Sequence, residues 1–172
     1  MTDLTDTLAD EGFMRLALEQ AKLAALAGEV PIGAVLVKNG VVISSGHNNP
    51  IGSCDPTAHA EIQAIRLGGK RVGNYRLVDC SLYVTLEPCS MCCGAIFQAR
   101  LKNVFYGTND EKIGACGSVL NLFNFPSLNH QTKLHSGLLK DECAQVLKEF
   151  FKQRRMDKKS SVFATNPLNH PS

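Results

Sequence analysis

Two short stretches carry residues whose types and spacing suit hydrolytic metal chemistry. One is Asp55-Pro56-Thr57-Ala58-His59-Ala60-Glu61, and the other is Glu87-Pro88-Cys89-Ser90-Met91-Cys92. Cys89 and Cys92 stand three apart where a helix is expected to begin, so both thiols fall on one face near the positive end of the helix dipole, which favours thiolates. His59, at another expected helix start, supplies a third ligand. Three protein ligands leave one position of a tetrahedral zinc open. A water bound there has its pKa lowered from about 15.7 towards about 7. Glu61 lies two residues past His59, a spacing that does not form a chelating pair on one helical face, so its carboxylate fits a proton carrier better than a ligand.

Hydrolytic deamination needs these parts: a nucleophile for the amidine carbon, a proton for the ring nitrogen and another for the departing amine. A His-x-Glu followed by Pro-Cys-x-x-Cys is the pattern of the zinc nucleobase deaminases. Other readings stay open on the residues alone. A single Cys-x-x-Cys also fits a structural zinc half-site or a redox pair. A structural zinc would want a fourth ligand, for which Cys93, Cys116 or Cys143 are candidates, and it would give Glu61 no task. A non-catalytic zinc module that binds RNA is a further alternative. Cys54, Cys80 and the three other thiols are more simply small buried or idle side chains.

The elements that must position these groups can be read from periodicity. Phe13, Leu16, Ala17, Ala21 and Ala24 recur at helical spacing before Gly28, which predicts a helix over about residues 10–27. Residues 32–38 and 41–45 are β-rich and flank Asn39-Gly40, the signature of a two-residue hairpin turn. A second helix is expected to begin near Pro56. A strand over 81–86, a helix over 89–99 and a strand over 103–107 follow. Residues 108–130 are rich in Gly, Asn and Pro and read as a long functional loop anchored by Phe123 and Phe125. A last helix over 140–156 carries the apolar stripe Leu139, Cys143, Val146, Leu147, Phe150 and Phe151. Strands alternating with helices after a hairpin predict a three-layer α/β/α sandwich around a mixed sheet.

The composition agrees with one packed domain. The chain has 172 residues, 44% hydrophobic and 20% charged, near average globular usage. The expectation is a single zinc-dependent domain over residues 1–156 and a disordered polar tail over 157–172. The longest apolar runs, such as 33–37, are too short to span a bilayer, and the start Met-Thr-Asp-Leu-Thr-Asp is acidic where a leader would be basic. No membrane association and a cytoplasmic location are therefore expected. Cysteine number and spacing suit reduced thiols or metal ligation better than a disulfide framework. Net charge is only +2, but Lys148, Lys152, Arg154, Arg155, Lys158 and Lys159 gather against only Glu149 and Asp157. Such a mix of cations with Phe151 suits single-stranded RNA.

From about Phe13 to Arg155 the sequence resembles the bacterial tRNA-specific adenosine deaminases, within the cytidine/deoxycytidylate deaminase superfamily. Besides the two metal stretches, the resemblance rests on Glu29-Val30-Pro31-Ile32-Gly33-Ala34-Val35 and Asp110-Glu111-Lys112-Ile113-Gly114-Ala115-Cys116-Gly117-Ser118. It implies a cytidine-deaminase-like sandwich with a five-stranded mixed sheet and one Zn2+ per subunit. It also implies a homodimer and conversion of the wobble adenosine to inosine in an arginine tRNA anticodon stem-loop. His59, Cys89 and Cys92 would hold the metal and Glu61 would move protons. Val30 and the Ala60 backbone would line the adenine pocket, and Asn48 would contact the flipped nucleotide. Asp110 and Asn129 would contact the anticodon loop, and Phe151, Arg154 and Arg155 neighbouring bases and phosphates. His47, where the family commonly has an aromatic, and Cys93, where it has alanine, depart from the pattern without touching the catalytic set. The zinc signature is shared with guanine and cytidine deaminases, so a deaminase of a free base or nucleoside is the alternative.

Overall fold

The computed structural model describes residues 4–164. Helix α1 (Leu4–Leu26) leads through Gly28 into the hairpin β1 (Gly33–Lys38) and β2 (Val41–His47). Asn39 and Gly40 both take positive φ, 51° and 72°, as the predicted turn requires. Then come the one-turn helix α2 (Pro50–Ser53), α3 (Ala60–Val72), β3 (Cys80–Leu86), α4 (Ser90–Gln98), β4 (Asn103–Thr108), β5 (Lys133–Ser136) and α5 (Lys140–Ala164). The sheet order is β2-β1-β3-β4-β5. β1 is antiparallel to both neighbours, while β3, β4 and β5 run parallel. The sheet is the expected mixed five-stranded one.

Side-chain alternation along the central strands feeds two cores. Ala34, Leu36, Leu82, Val84, Val104 and Tyr106 point to one face, where they meet Ala60 and Ala64 of α3 and Cys93 and Ile96 of α4. Val35, Val37 and Tyr83 point to the other, where Met14, Ala17 and Leu18 of α1 and Cys143 of α5 cover them. Each fully buried aliphatic side chain contributes about 1.5–3 kcal/mol. The layers close on glycines. A Cβ on Gly46 would lie 2.5 Å from the Ala60 carbonyl oxygen, one on Gly33 would overlap the Ala17 carbonyl, and one on Gly107 the Cys143 thiol. In α1 the buried stripe is Met14, Ala17, Leu18, Ala21 and Ala24, and Leu16 of the expected stripe is 46% exposed.

Several elements differ from expectation: α1 begins at Leu4, a turn and a half before the expected start near residue 10. β5 has no counterpart among the strands read from the residues. The second helix starts at Ala60 and not near Pro56, because Asp55 Oδ1 accepts both the Thr57 N–H (2.8 Å) and the Thr57 hydroxyl (2.7 Å), closing a turn before the helix. The last helix passes Met156 and runs to Ala164, held partly by side chains along its own axis, Gln153 to Asp157 and Ser160 to the Met156 carbonyl. The rest of the expected tail, 165–172, lies outside the described residues. The loop 109–132 is irregular apart from a 3-10 turn at Leu122–Asn124. Phe123 anchors it against Phe97 at 4.9 Å, whereas Phe125 is 52% exposed. Among the described residues no helix is long and apolar enough to cross a membrane.

Candidate active site

Two helix N-termini bring the three candidate ligands together. His59 is the N-cap of α3 and Cys89 the N-cap of α4, both with extended backbone, and Cys92 lies in the first turn of α4. An N-cap side chain and one three residues on converge at a helix start, so Cys89 and Cys92 face the same point. The approach of His59 is fixed by β2 and the turn before α3. Asn48 Oδ1 accepts the Ala60 N–H at 3.0 Å, and the Asn49 N–H donates to the Ala58 carbonyl at 3.0 Å. Asp55 holds the turn itself.

The three groups have the spacing of a tetrahedral centre. His59 Nδ1 lies 3.7 Å from Cys89 Sγ and 3.6 Å from Cys92 Sγ, and all three donor atoms lie within 4.8 Å of one another. Metal–sulfur and metal–nitrogen bonds of about 2.3 and 2.0–2.1 Å at tetrahedral angles separate N and S by about 3.6 Å. The donor set therefore fits a zinc-like ion. Cys89 is pulled down to about 4, first by its hydrogen bond with Cys92 and next by that with His59. Cys92 moves up, because the two thiols share a proton and Cys92 is the more deeply placed. His59 is raised, chiefly by Cys89. Glu61, 4% exposed, is pushed up to about 7, burial being the main cause. Among the described residues it joins no ligand cluster. With His59 and Cys89 it lines a small cavity of about 30 Å³. That cavity shares Ile32, His59, Leu86, Asp110 and Ile113 with a wider one of about 500 Å³.

The fold and this site recur in known proteins. A family model described as MafB19-like deaminase matches residues 8–155. A Haemophilus influenzae protein named tRNA-specific adenosine deaminase is 50% identical over 151 residues, 87% of each chain. The chain belongs to the tRNA-specific adenosine deaminase family. A solved structure from work on A-to-I editing by tRNA:A34 deaminases at the wobble position of transfer RNA is 46% identical. It superposes with a TM-score of 0.77 over 79% of this chain and 99% of that one. A guanine deaminase from Bacillus subtilis is 38% identical, with a TM-score of 0.57 over 84% of this chain and 93% of that one.

The positions at which a tRNA-specific adenosine deaminase is expected to meet its substrate fall into two groups. Val30, Asn48, Asp110 and Phe151 line the wide cavity with His59. Ala60 is fully buried beside them, its N–H taken by Asn48. Phe151, placed in the apolar stripe from sequence, is 43% exposed at this rim. Asp110 also caps its own turn, Oδ1 accepting the N–H groups of Lys112 (2.9 Å) and Ile113 (3.3 Å). Arg155 lines a neighbouring cavity of about 360 Å³ with Lys112, Lys148 and Phe151.

Arg154 and Asn129 are not brought to these cavities. Arg154 donates to the Gly28 carbonyl at 3.2 Å and packs over the Phe150 ring. The Asn129 carbonyl accepts from Arg100 at 2.7 Å, beside the C-terminal end of α4 and away from the ligands at its N-terminus. Sequence reasoning gave no role to two buried carboxylates. Glu29 accepts the Gly52 N–H at 2.8 Å, tying α2 to the segment that carries Val30. Glu87, next to Pro88-Cys89, is 2% exposed. Both were visible only as acids inside quoted motifs, flanked by apolar residues.

Proposed function

We propose that the chain hydrolyses the exocyclic amine of adenosine at the wobble position of a tRNA anticodon, an arginine tRNA among its substrates, to give inosine and ammonia. The observation that carries this reading is the meeting of His59, Cys89, Cys92 and buried Glu61 at the head of a cavity walled by Val30, Asn48 and Asp110. His59, Cys89 and Cys92 would hold one zinc per subunit, whose Lewis acidity activates water near neutral pH. Glu61 would carry one proton of the attacking water to ring N1 and then the second, from the hydroxyl that has added to the amidine carbon, to the departing amine, which leaves as ammonia. Asn48 and the Ala60 backbone position the base, and exclusion of bulk water follows from the narrowness of the inner cavity.

Lys112, Lys148 and Arg155 border the outer cavity and suit phosphates on either side of a flipped nucleotide. Arg154 acts there only if it leaves the Gly28 carbonyl. Asn129 would meet the RNA outside these cavities, and the chain would act as the homodimer that the resemblance implies. A cytoplasmic location accords with a tRNA substrate.

The likeness to a guanine deaminase keeps a free base as the second reading. The test is turnover of an arginine anticodon stem-loop with adenosine at the wobble position, alongside free guanine, adenine and cytidine, by zinc-loaded protein. Inosine in the stem-loop alone is expected; turnover of a free base alone would replace the substrate. Glu61→Gln should keep one metal per chain and lose turnover by about 10²–10⁴-fold. Loss of metal in that variant would make Glu61 a ligand.

A further inference from the structure

We infer that Glu87 is a positioning residue for the reaction: its buried carboxylate clamps the segment 110–118 to the β3–α4 junction and so holds one wall of the substrate cavity. The inference rests on the reading of that cavity as the site of deamination.

Both oxygens of Glu87 are doubly engaged. Oε2 accepts the Asp110 N–H at 3.0 Å and the Ser118 hydroxyl. Oε1 accepts the Cys116 N–H at 2.9 Å and the Ser118 N–H at 3.1 Å. A carboxylate filled in this way has no lone pair to spare for a metal or for substrate. Four donors spread over 110–118 converge on one planar group, which fixes that segment in direction as well as distance.

The segment is shaped to receive it. A Cβ on Gly114 would stand 2.5 Å from the Glu87 carboxyl carbon and from the Asp110 carbonyl. The Ala115 N–H donates to the Pro88 carbonyl at 2.9 Å, and Cys89 and Gly114 form a β-bridge. What hangs on the clamp is substrate-facing. Asp110 and Ile113 line both the inner and the wide cavity, and Lys112 joins the wide cavity to the basic one. Of the candidate ligands Cys89 touches the segment through its bridge to Gly114, whereas His59, Cys92 and Glu61 stand at the heads of α3 and α4, whose buried faces pack in the core. An apolar residue at 87 would fill space but would leave four donors without acceptors.

The clamp therefore acts on binding of the substrate more than on the chemical step. Full-length, zinc-loaded Glu87→Gln and Ser118→Ala are compared with the wild type on the anticodon stem-loop, with metal content and hydrogen exchange measured on the same samples. Glu87→Gln should keep its metal and a kcat within about threefold, while KM rises about tenfold or more, as loss of charge-assisted hydrogen bonds that serve binding alone predicts. Ser118→Ala, which removes one of the four donors, should raise KM less. In both, exchange should quicken in 110–118 and stay unchanged in α3 and α4. A fall in kcat at unchanged KM, the mark of a smaller active fraction in a weakened fold, would overturn the proposal, as would unaltered exchange in 110–118. If the wild type fails on the stem-loop, the substrate reading falls, and the exchange data still decide whether Glu87 holds the segment.

Discussion

The carboxylate of Asp55 accepts two hydrogen bonds from Thr57 and faces Arg66 at 3.4 Å. It is held below its ordinary 3.8, chiefly by the Thr57 hydroxyl. A carboxyl whose folded pKa is depressed adds stability that is present above the unfolded value and lost as pH falls through the folded one. Wild type should therefore exceed Asp55→Asn in stability at pH 7, and the gap should close below about pH 4, as followed by urea unfolding across that range. A gap independent of pH would mean that geometry and not charge matters there. The meeting of His59, Cys89 and Cys92, with Glu61 buried beside them, was legible because the chemistry of such a donor set is written in residue type and local spacing. Glu87 and Glu29 were not, because their partners are remote in the chain, nearly all of them backbone N–H groups that no periodicity announces.

At the scale of elements, the helices lie on the sheet as closely as glycine permits. Gly107 in β4 receives the Cys143 side chain of α5, and a methyl group there would overlap the thiol and approach the Thr85 carbonyl at 2.8 Å. Gly107→Ala should cost about 1–3 kcal/mol through overpacking, read as a lower urea midpoint at unchanged m-value; a neutral result would show that α5 can shift outward freely. The hairpin and the helices of the core were legible from alternation and from Asn39-Gly40. β5 was not: of Lys133, Leu134, His135 and Ser136 only Leu134 is even half-buried, so an edge strand of four residues offers no pattern. The last turns of α5 escaped notice because residues 157–164 carry no apolar stripe, and the helix continues there on its own hydrogen bonds.

For the molecule as a whole, thiol exposure gives a direct check on the architecture. Cys54 is exposed and Cys89 half-buried, while Cys80, Cys92, Cys93, Cys116 and Cys143 are buried, and burial pushes the Cys143 thiol up to about 12. Since thiolates react and buried thiols do not, the metal-loaded protein should show one fast thiol towards a disulfide reagent, abolished by Cys54→Ser. Chelation should then add Cys89; a second fast thiol before chelation would mean that Cys89 is not a ligand. The strand order carries a kinetic consequence as well. The β1–β2 hairpin is local, but His59 follows β2 and Cys89 follows β3, so the ligands meet only after β3 has crossed the α2–α3 segment to pair with β1. Such long loop closures come late on the folding path. A metal seated between the two helix starts would thus act as a latch on the finished molecule, delaying its opening without hastening its assembly.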